Sequence, residues 1–440
     1  MEYRQSLEYL YGLQRFGMKL GLDNMRALLA NLGEPQSGLA CVHVAGTNGK
    51  GSVCAFLAET LKLSGLKVGL YTSPHLHCFT ERIRIDGQPV SRAYMAALAD
   101  EIRRAGEGIP VTFFEAATAM ALLAFRQQDV AVAVVETGLG GRLDATNVIQ
   151  PVLTLITPVS HDHQEHLGES LVEIAAEKAG IFKPGIPVVV GRQTPEVTGV
   201  LLDAADRRSA PVCLAGRDYR WQGGHADFSL SWQGQTLSGM KCRLAGEHQL
   251  DNLAQALAGA LTLQTLGWPV TAQAMQRSGE TTAWPGRLEW WTGPHELLLD
   301  AAHNAAGIAS LANYLKARGC DSLSFLVGLS RGRNPDEVLK PLAGIAASLS
   351  AVPVPVGETV DPSALVAWAG RHGIASREYL SPQAGLDASL ADLRQGQPLI
   401  VCGSLFLVAA IREMLSSRAF AIIDGAVPAD RVLAEMVSVK

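Results

Sequence analysis

Short apolar blocks recur along the chain and alternate with longer stretches of helical period. Val42-His43-Val44-Ala45, Val68-Gly69-Leu70-Tyr71, Val132-Ala133-Val134-Val135, Leu153-Thr154-Leu155-Ile156 and Val188-Val189-Val190 are too short to be buried helices. They are also almost unbroken by polar positions, the mark of strands covered on both faces. Strands of this kind separated by helices predict an α/β fold built on a parallel sheet. Between residues 212 and 243 the pattern shifts to a period of two, in Phe228-Ser229-Leu230-Ser231-Trp232, followed by Gln233-Gly234. A small antiparallel insertion is expected there. After Trp284-Pro285-Gly286-Arg287 and Thr292-Gly293-Pro294 a second β/α series starts, with strands expected near 296–300, 323–327 and 398–402. The boundary is placed near residue 293. Leu253–Gln276 carries glutamines and a Gly267-Trp268-Pro269 break, so it predicts a buried helix and turn and no membrane span. The segment 419–440 has short apolar pieces without a period.

Length agrees with two domains, because 440 residues exceed the size at which one core stops growing. Hydrophobic residues make up 48% and charged residues 18%, the composition of a globular enzyme. Thirty-seven Lys and Arg against 42 Asp and Glu leave a formal charge of -5, and no basic run could track a phosphate backbone. Nucleic acid is not an expected partner. The seven cysteines are scattered without a CxxC pair, which predicts reduced thiols. The first residues, MEYRQSLEYLYG, lack the basic and apolar blocks of a signal peptide, so a cytoplasmic location is expected.

Chemistry enters at Val42-His43-Val44-Ala45-Gly46-Thr47-Asn48-Gly49-Lys50-Gly51-Ser52, where a strand runs through a Gly-rich turn into an apolar helix. Glycines let backbone N–H groups converge on phosphate oxygens, the helix N-terminus adds positive potential, and Lys50 supplies a point charge. A structural turn is the plainer alternative. The familiar G-x-x-x-x-G-K-[ST] spacing is incomplete, since Val44 replaces its first glycine and Gly51 separates Lys50 from Ser52. Glu136 ends an apolar strand, where open α/β sheets bind ligands, and Gly138, Gly140 and Gly141 suggest close backbone approach. The run His161-Asp162-His163-Gln164-Glu165-His166 has the look of a zinc hydrolase motif, a reading that leaves the phosphate loop unexplained. Lys178, near the end of a helix starting at Ser170, reads by itself as a dipole-complementing surface charge. Asn252 and Gln249 read by themselves as helix caps.

Taken together, GTNGKGS, Tyr71-Thr72-Ser73-Pro74-His75-Leu76, Glu136–Asn147, Ala176-Glu177-Lys178-Ala179-Gly180, Glu247–Asn252, Asp300-Ala301-Ala302-His303-Asn304 and Cys402-Gly403-Ser404 resemble the bifunctional dihydrofolate synthases/folylpolyglutamate synthases of the Mur ligase superfamily. The resemblance implies a P-loop, doubly wound parallel-sheet ATPase domain over residues 1–292 that also binds the pterin. A smaller Rossmann-like α/β domain for glutamate would cover 293–440. It implies an ATP-dependent ligase joining L-glutamate to dihydropteroate and to the γ-carboxylate of reduced folates through an acyl phosphate. Gly46, Thr47, Asn48, Gly49, Lys50, Gly51, Ser52, Asn252, Arg287 and Asp300 would bind ATP. Ser73, Glu136 and His163 would hold one Mg2+, and Lys178, as a carbamate, a second. Thr112, Phe114, Asp144 and Ser404 would contact substrates, and Lys50, Lys178, Asp300 and His303 would carry the catalysis. The family also implies a monomer. Arg15–Leu22 resembles the bifunctional bacterial members, favouring dihydropteroate beside reduced folates. Ala305 stands where the family usually has proline, and Gly328–Asn334 lacks its usual aspartate and lysine. The alternatives are a murein-type ligase acting on UDP-muramoyl peptides, a metallohydrolase built on the histidine cluster, and an ATP-binding regulator without turnover.

Overall fold

The computed structural model describes residues 2–16, 21–320, 322–394 and 396–422. Part of the Arg15–Leu22 segment (residues 17–20) and the stretch 423–440 lie outside the described residues. Contacts divide the chain into two compact units. Among the described residues, one takes the chain up to Cys242 together with Gln249–Thr282, and the other takes Arg243–His248 together with the chain from Ala283 to Ile422.

The first unit is organised by an eight-stranded sheet in the order Gln88–Pro89, Ile83–Ile85, Val68–Tyr71, Val132–Glu136, Cys41–Ala45, Pro151–Ile156, Val188–Val190, Val212–Leu214. From Val68–Tyr71 to Val212–Leu214 all neighbours are parallel, and the two short strands at the other edge are antiparallel. Every residue of Cys41–Ala45 and Val132–Glu136 is buried, as their unbroken apolar runs require of central strands. Because the strands run the same way, the loops after Ala45, Tyr71, Glu136, Ile156 and Val190 share one carboxyl edge. Helices Lys50–Leu63, Phe113–Gln127, Leu171–Ala179 and Glu247–Thr265 follow or flank these strands. Leu10, Met25, Leu28, Met95, Met120 and Phe125 belong to one apolar cluster; Ile156, Ile174, Phe182, Val188 and Leu201 belong to a second. Buried Gln255 ties its helix to the sheet, its amide donating to the carbonyls of Ile156 (2.8 Å) and Val189 (3.2 Å).

The antiparallel insertion is smaller than the sequence pattern suggests. Val212–Leu214 extends the main sheet in parallel, and only Tyr219–Gly223, Phe228–Trp232 and Gln235–Met240 form the separate three-stranded sheet. Its tight turn places Gln233 at φ 45° and Gly234 at φ 83°, the two left-handed residues of a twist-matched hairpin.

The second unit holds a seven-stranded sheet in the order Ala375–Glu378, Ala346–Ala351, Leu323–Val327, Leu399–Cys402, Leu297–Leu299, Glu289–Thr292, Ala421–Ile422. The first five are parallel, and Glu289–Thr292 runs antiparallel to both of its neighbours, Leu297–Leu299 and Ala421–Ile422. Glu289–Thr292 thus pairs in this sheet, although it precedes the boundary drawn at 293. Ala346–Ala351 and Ala375–Glu378, not expected from the sequence, join it beside Leu323–Val327. Leu298, Phe325, Leu349, Trp368 and Ile400 form the heart of this unit's core.

Candidate active site

The phosphate loop leaves Cys41–Ala45 and enters the helix Lys50–Leu63. Two of its glycines are enforced. Gly46 has φ 147°, and a Cβ there would lie 1.9 Å from Thr157 Oγ1; Gly49 has φ 87°, and a Cβ would lie 2.4 Å from Asn252 Oδ1. The N–H groups of Thr47 and Asn48 donate to Pro158 O at 3.0 and 3.3 Å, and Thr47 Oγ1 pairs with the backbone of Ser160 at 3.1 Å. These two residues, expected to contact ATP, therefore spend their backbone donors on fixing the loop. No side chain caps the helix that follows. Its first-turn N–H groups, with the positive end of the helix dipole, are the donors turned toward an anion.

Two lysines converge on this turn. Lys50 Nζ donates to Gly46 O (3.2 Å) and Thr47 O (3.1 Å), and Lys178 Nζ donates to the same Gly46 O at 2.8 Å. Lys178 is no surface charge: it is 4% exposed, at the last turn of Leu171–Ala179. Burial, and then the charge of Lys50, bring its pKa from 10.5 down to about 7, against the opposing influence of Asp162 and Asp144.

The sheet's carboxyl edge supplies the carboxylate. Glu136, buried at the end of Val132–Glu136, accepts from the backbone N–H of Ser73 at 3.0 Å, so the structure brings these two residues together. The hydroxyls of Thr137, next to Glu136 in the chain, and of Thr157, against Gly46, are buried without a partner among the described residues. Buried polar atoms are normally satisfied, so orphans at a loop edge fit a bound hydrated ligand. His163 stands on an exposed turn with φ 51°, its Nε2 3.6 Å from Asp162 Oδ1. Asp162 is buried, whereas His161, Glu165 and His166 are exposed, and among the described residues no three His, Cys, Asp or Glu side chains gather as a metal cluster. That geometry does not make the zinc centre the spacing resembles. Glu136 and Ser73, which the structure does bring together, offer oxygens of the kind Mg2+ takes.

Asp144 anchors the loop between Gly138 and Asn147. Its Oδ2 accepts from Leu139 N (2.8 Å) and its Oδ1 from Thr146 N (3.0 Å) and from the Thr146 hydroxyl. Burial pushes its carboxyl up in pKa, and those bonds pull it back. Thr146 Oγ1 also lies 2.8 Å from Nε2 of fully buried His43. The hydroxyl has one proton and gives it to Asp144, so His43 Nε2 must be the donor in that contact. Burial, aided by Lys183, lowers the imidazole pKa to about 3 and keeps it neutral. Thr146→Val preserves shape but orphans His43 Nε2 and takes one of three bonds from Asp144, so it is expected to destabilise the protein by about 1–3 kcal/mol. Thermal melting reads that loss; an unchanged melting temperature would remove the relay.

The same loop lies flat on an aromatic ring: a Cβ on Gly138 would sit 2.3 Å from Phe114 Cζ. Thr112 caps Phe114's helix in a reciprocal box with Glu115. Next to it stands a group the sequence did not single out. Arg82 is held over the rings of Phe79 (5.4 Å) and Phe113 (5.2 Å) and donates Nε–H to His75 Nδ1 at 2.9 Å. Tyr71 packs against Phe114, and Tyr11 stacks on Phe113. Since Arg82 can only donate, His75 carries its proton on Nε2, a buried atom without a partner. Asn252 and Gln249 are buried and hydrogen-bonded to each other at 3.0 Å, with Asn252 seated against Gly49.

In the second unit, three strand ends meet at small residues. Gly403 N donates to Ala302 O (2.8 Å), and a Cβ on Gly403 would lie 2.6 Å from Gly328 O. Ser404 is buried and caps the helix Leu405–Ser416. His303 Nδ1 faces Ala301 O at 2.9 Å. A carbonyl only accepts, so Nδ1 bears the proton and Nε2 is the basic nitrogen. Both oxygens of buried Asp300 accept backbone N–H bonds, from Leu288 and Ala302, each at 2.9 Å.

Residues 44–260 match the family model described as the Mur ligase middle domain. The folylpolyglutamate synthase of Lacticaseibacillus casei is 33% identical over 428 residues, covering 94% of this chain and 99% of that protein. The dihydrofolate synthase/folylpolyglutamate synthase of Escherichia coli K12 is 31% identical over 415 residues, covering 94% and 95%. The structure of E. coli FolC in complex with DHPP and ADP matches with a TM-score of 0.85 at 30% identity, covering 94% of this chain and 98% of that one.

Proposed function

The chain belongs to the folylpolyglutamate synthase and dihydrofolate synthase family of Mur ligases, and on that premise we propose how its residues divide one reaction. The reaction is ATP-dependent coupling of L-glutamate to the carboxylate of dihydropteroate and to the γ-carboxylate of reduced folates. The observation that carries the residue assignment is the convergence of Lys50 and Lys178 on Gly46 O beneath an uncapped helix end. Lys50 brings its charge to a helix end whose first N–H groups no side chain satisfies, and a nucleotide polyphosphate is the anion that suits such a turn.

A carboxylate is a poor electrophile, so its oxygen first attacks the γ-phosphorus and ADP leaves. The like charges of substrate and phosphate are offset by Lys50 and Arg287. The glutamate amine then attacks the acyl carbon, the C–N bond forms, and phosphate departs with the acyl C–O bond's electrons. The amine's surplus proton goes to the basic Nε2 of His303, whose tautomer Ala301 O has fixed. Ser73, Glu136 and His163 would hold one Mg2+ and carbamylated Lys178 a second; such ions supply charge neutralisation at the phosphates. Support for the carbamate is the lowered pKa of Lys178, since only a neutral amine adds carbon dioxide. Phe114, the Asp144 loop and Thr112's helix would line the pterin site, and Ser404 the glutamate site. Asn252, seated on Gly49, would reach the ribose or base. No helix among the described residues is long and apolar enough to cross a membrane. A monomer working in the cytoplasm, where ATP and reduced folates are at hand, completes the reading.

The test is ADP release by the purified enzyme with each acceptor. Release is expected only when glutamate is present together with dihydropteroate or tetrahydrofolate. Release that instead required a UDP-muramoyl substrate, or substrate hydrolysis without ATP, would refute the assignment.

A further inference from the structure

Leu288 is out of place. It is 3% exposed, its side chain lies in the second unit's core, and its backbone stands at φ 46°, a left-handed conformation that branched side chains avoid. Such strain persists only where the surroundings over-determine it, and it collects at functional positions. Here the surroundings are plain. Leu288 N donates to Asp300 Oδ2 at 2.9 Å, Ala301 N donates to Gly286 O at 2.9 Å, and Gly286 N donates to Glu289 Oε2 at 2.8 Å. A Cβ on Gly246 would lie 2.6 Å from Leu288 Cδ1, so the leucine is also wedged from outside the turn. The Glu289 carboxylate is in turn gripped by Arg412, whose Nε lies 3.1 Å from both oxygens and whose guanidinium covers Trp291 at 5.8 Å.

Glu289 and Arg412 are 6% and 3% exposed. A buried ion pair is a weak source of stability, because desolvation cancels much of its attraction and an apolar pair can serve as well. Its value is in fixing geometry. The turn it fixes, Gly286–Glu289, uses the backbone or side chain of every residue except one. Arg287 is partly exposed and makes no hydrogen bond or ion pair with another described residue.

We infer that Asp300, Glu289 and Arg412 are positioning residues whose joint task is to hold the strained Gly286–Glu289 turn so that Arg287 is presented, preorganised, to the phosphates of ATP. Arg412 does this from 123 positions away in sequence, through Glu289. The inference rests on the reading of Arg287 as a phosphate contact. It gives Asp300 a second route to the nucleotide: its two oxygens each hold one backbone N–H and so act through the turn.

A kinetic cycle on the full-length enzyme decides it, with each variant's melting temperature measured first. Arg287→Ala is expected to raise KM for ATP about tenfold, the worth of one charge-assisted contact. Arg412→Lys, which keeps the charge but loses the shared Nε contact, is expected to raise KM for ATP severalfold and leave KM for the folate substrate alone. Combined with Arg287→Ala it should add nothing further. Glu289→Gln supplies the same comparison should the Arg412 variant fail to fold. If the two effects multiply, the pair acts on stability or elsewhere and the positioning role is lost. If Arg287→Ala leaves KM for ATP unchanged, the phosphate contact itself fails, and the inference falls with it.

Discussion

Replacing Lys50 with alanine is expected to lower the rate of amide formation by about 10³-fold, the scale on which one preorganised charge-stabilising donor acts. Lys50 Nζ rests on two carbonyls of its own loop, Gly46 O and Thr47 O. Those bonds are replaceable by water at a partly exposed position, so stability should change by no more than about 1 kcal/mol. The sequence places Lys50 in a Gly-rich turn; the structure makes it the first, half-buried residue of the helix Lys50–Leu63. Rate and melting temperature measured on one preparation separate the two effects. A variant with near-parental turnover would end the claim that this loop holds the reacting phosphate.

Lys178→Arg and Lys178→Ala should each lose about 10²–10³-fold in turnover, because arginine cannot form a carbamate and alanine leaves no ligand. Short carboxylates added to the alanine variant are expected to restore part of the rate. In the parent, activity in bicarbonate-depleted buffer should fall, and fall furthest below pH 7, since the amine has a pKa of about 7 and must be neutral to react. The sign for stability runs the same way. With its folded pKa depressed from 10.5 to about 7, the unfolded chain binds more protons between those values, so the lysine's contribution to stability rises with pH across that window. An arginine variant with most of its turnover would show that a plain cation suffices.

The parts of the fold legible in the sequence are those where burial dictates composition. Central parallel strands such as Cys41–Ala45 and Val132–Glu136 must be apolar on both faces, and they announce themselves as unbroken runs. Ala346–Ala351 and Ala375–Glu378, with the sequences AASLSA and ASRE, carry little intrinsic strand preference and exist because a neighbouring strand accepts them. The phosphate loop was legible because its glycines answer a local need. Lys178 was not: nothing within its helix distinguishes a buried lysine from a surface one, and Gly46, its partner, lies 132 positions away. The same holds for His43 with Thr146, 103 apart, and Glu289 with Arg412. Arg82 and His75 are close in sequence, but only the aromatic rings folded around them reveal them as a group. The histidine run shows how little spacing alone decides. Ligand-like spacing on a short exposed turn fixes no coordination geometry.

The edges of the eight-stranded sheet bear on how this chain behaves when crowded. One edge is the two-residue strand Gln88–Pro89, where proline lacks the N–H a newcomer would need; the other, Val212–Leu214, is three residues long and passes at once into the hairpin sheet. A growing β-aggregate requires a long, flat strand with unanswered backbone groups as its template. This sheet exposes only stubs. Five adjoining strands, Val68–Tyr71 through Val188–Val190, are rich in the valine, leucine and isoleucine that aggregate readily, and they stay behind those stubs while the unit is folded. Self-association through this sheet should therefore track unfolding of the first unit.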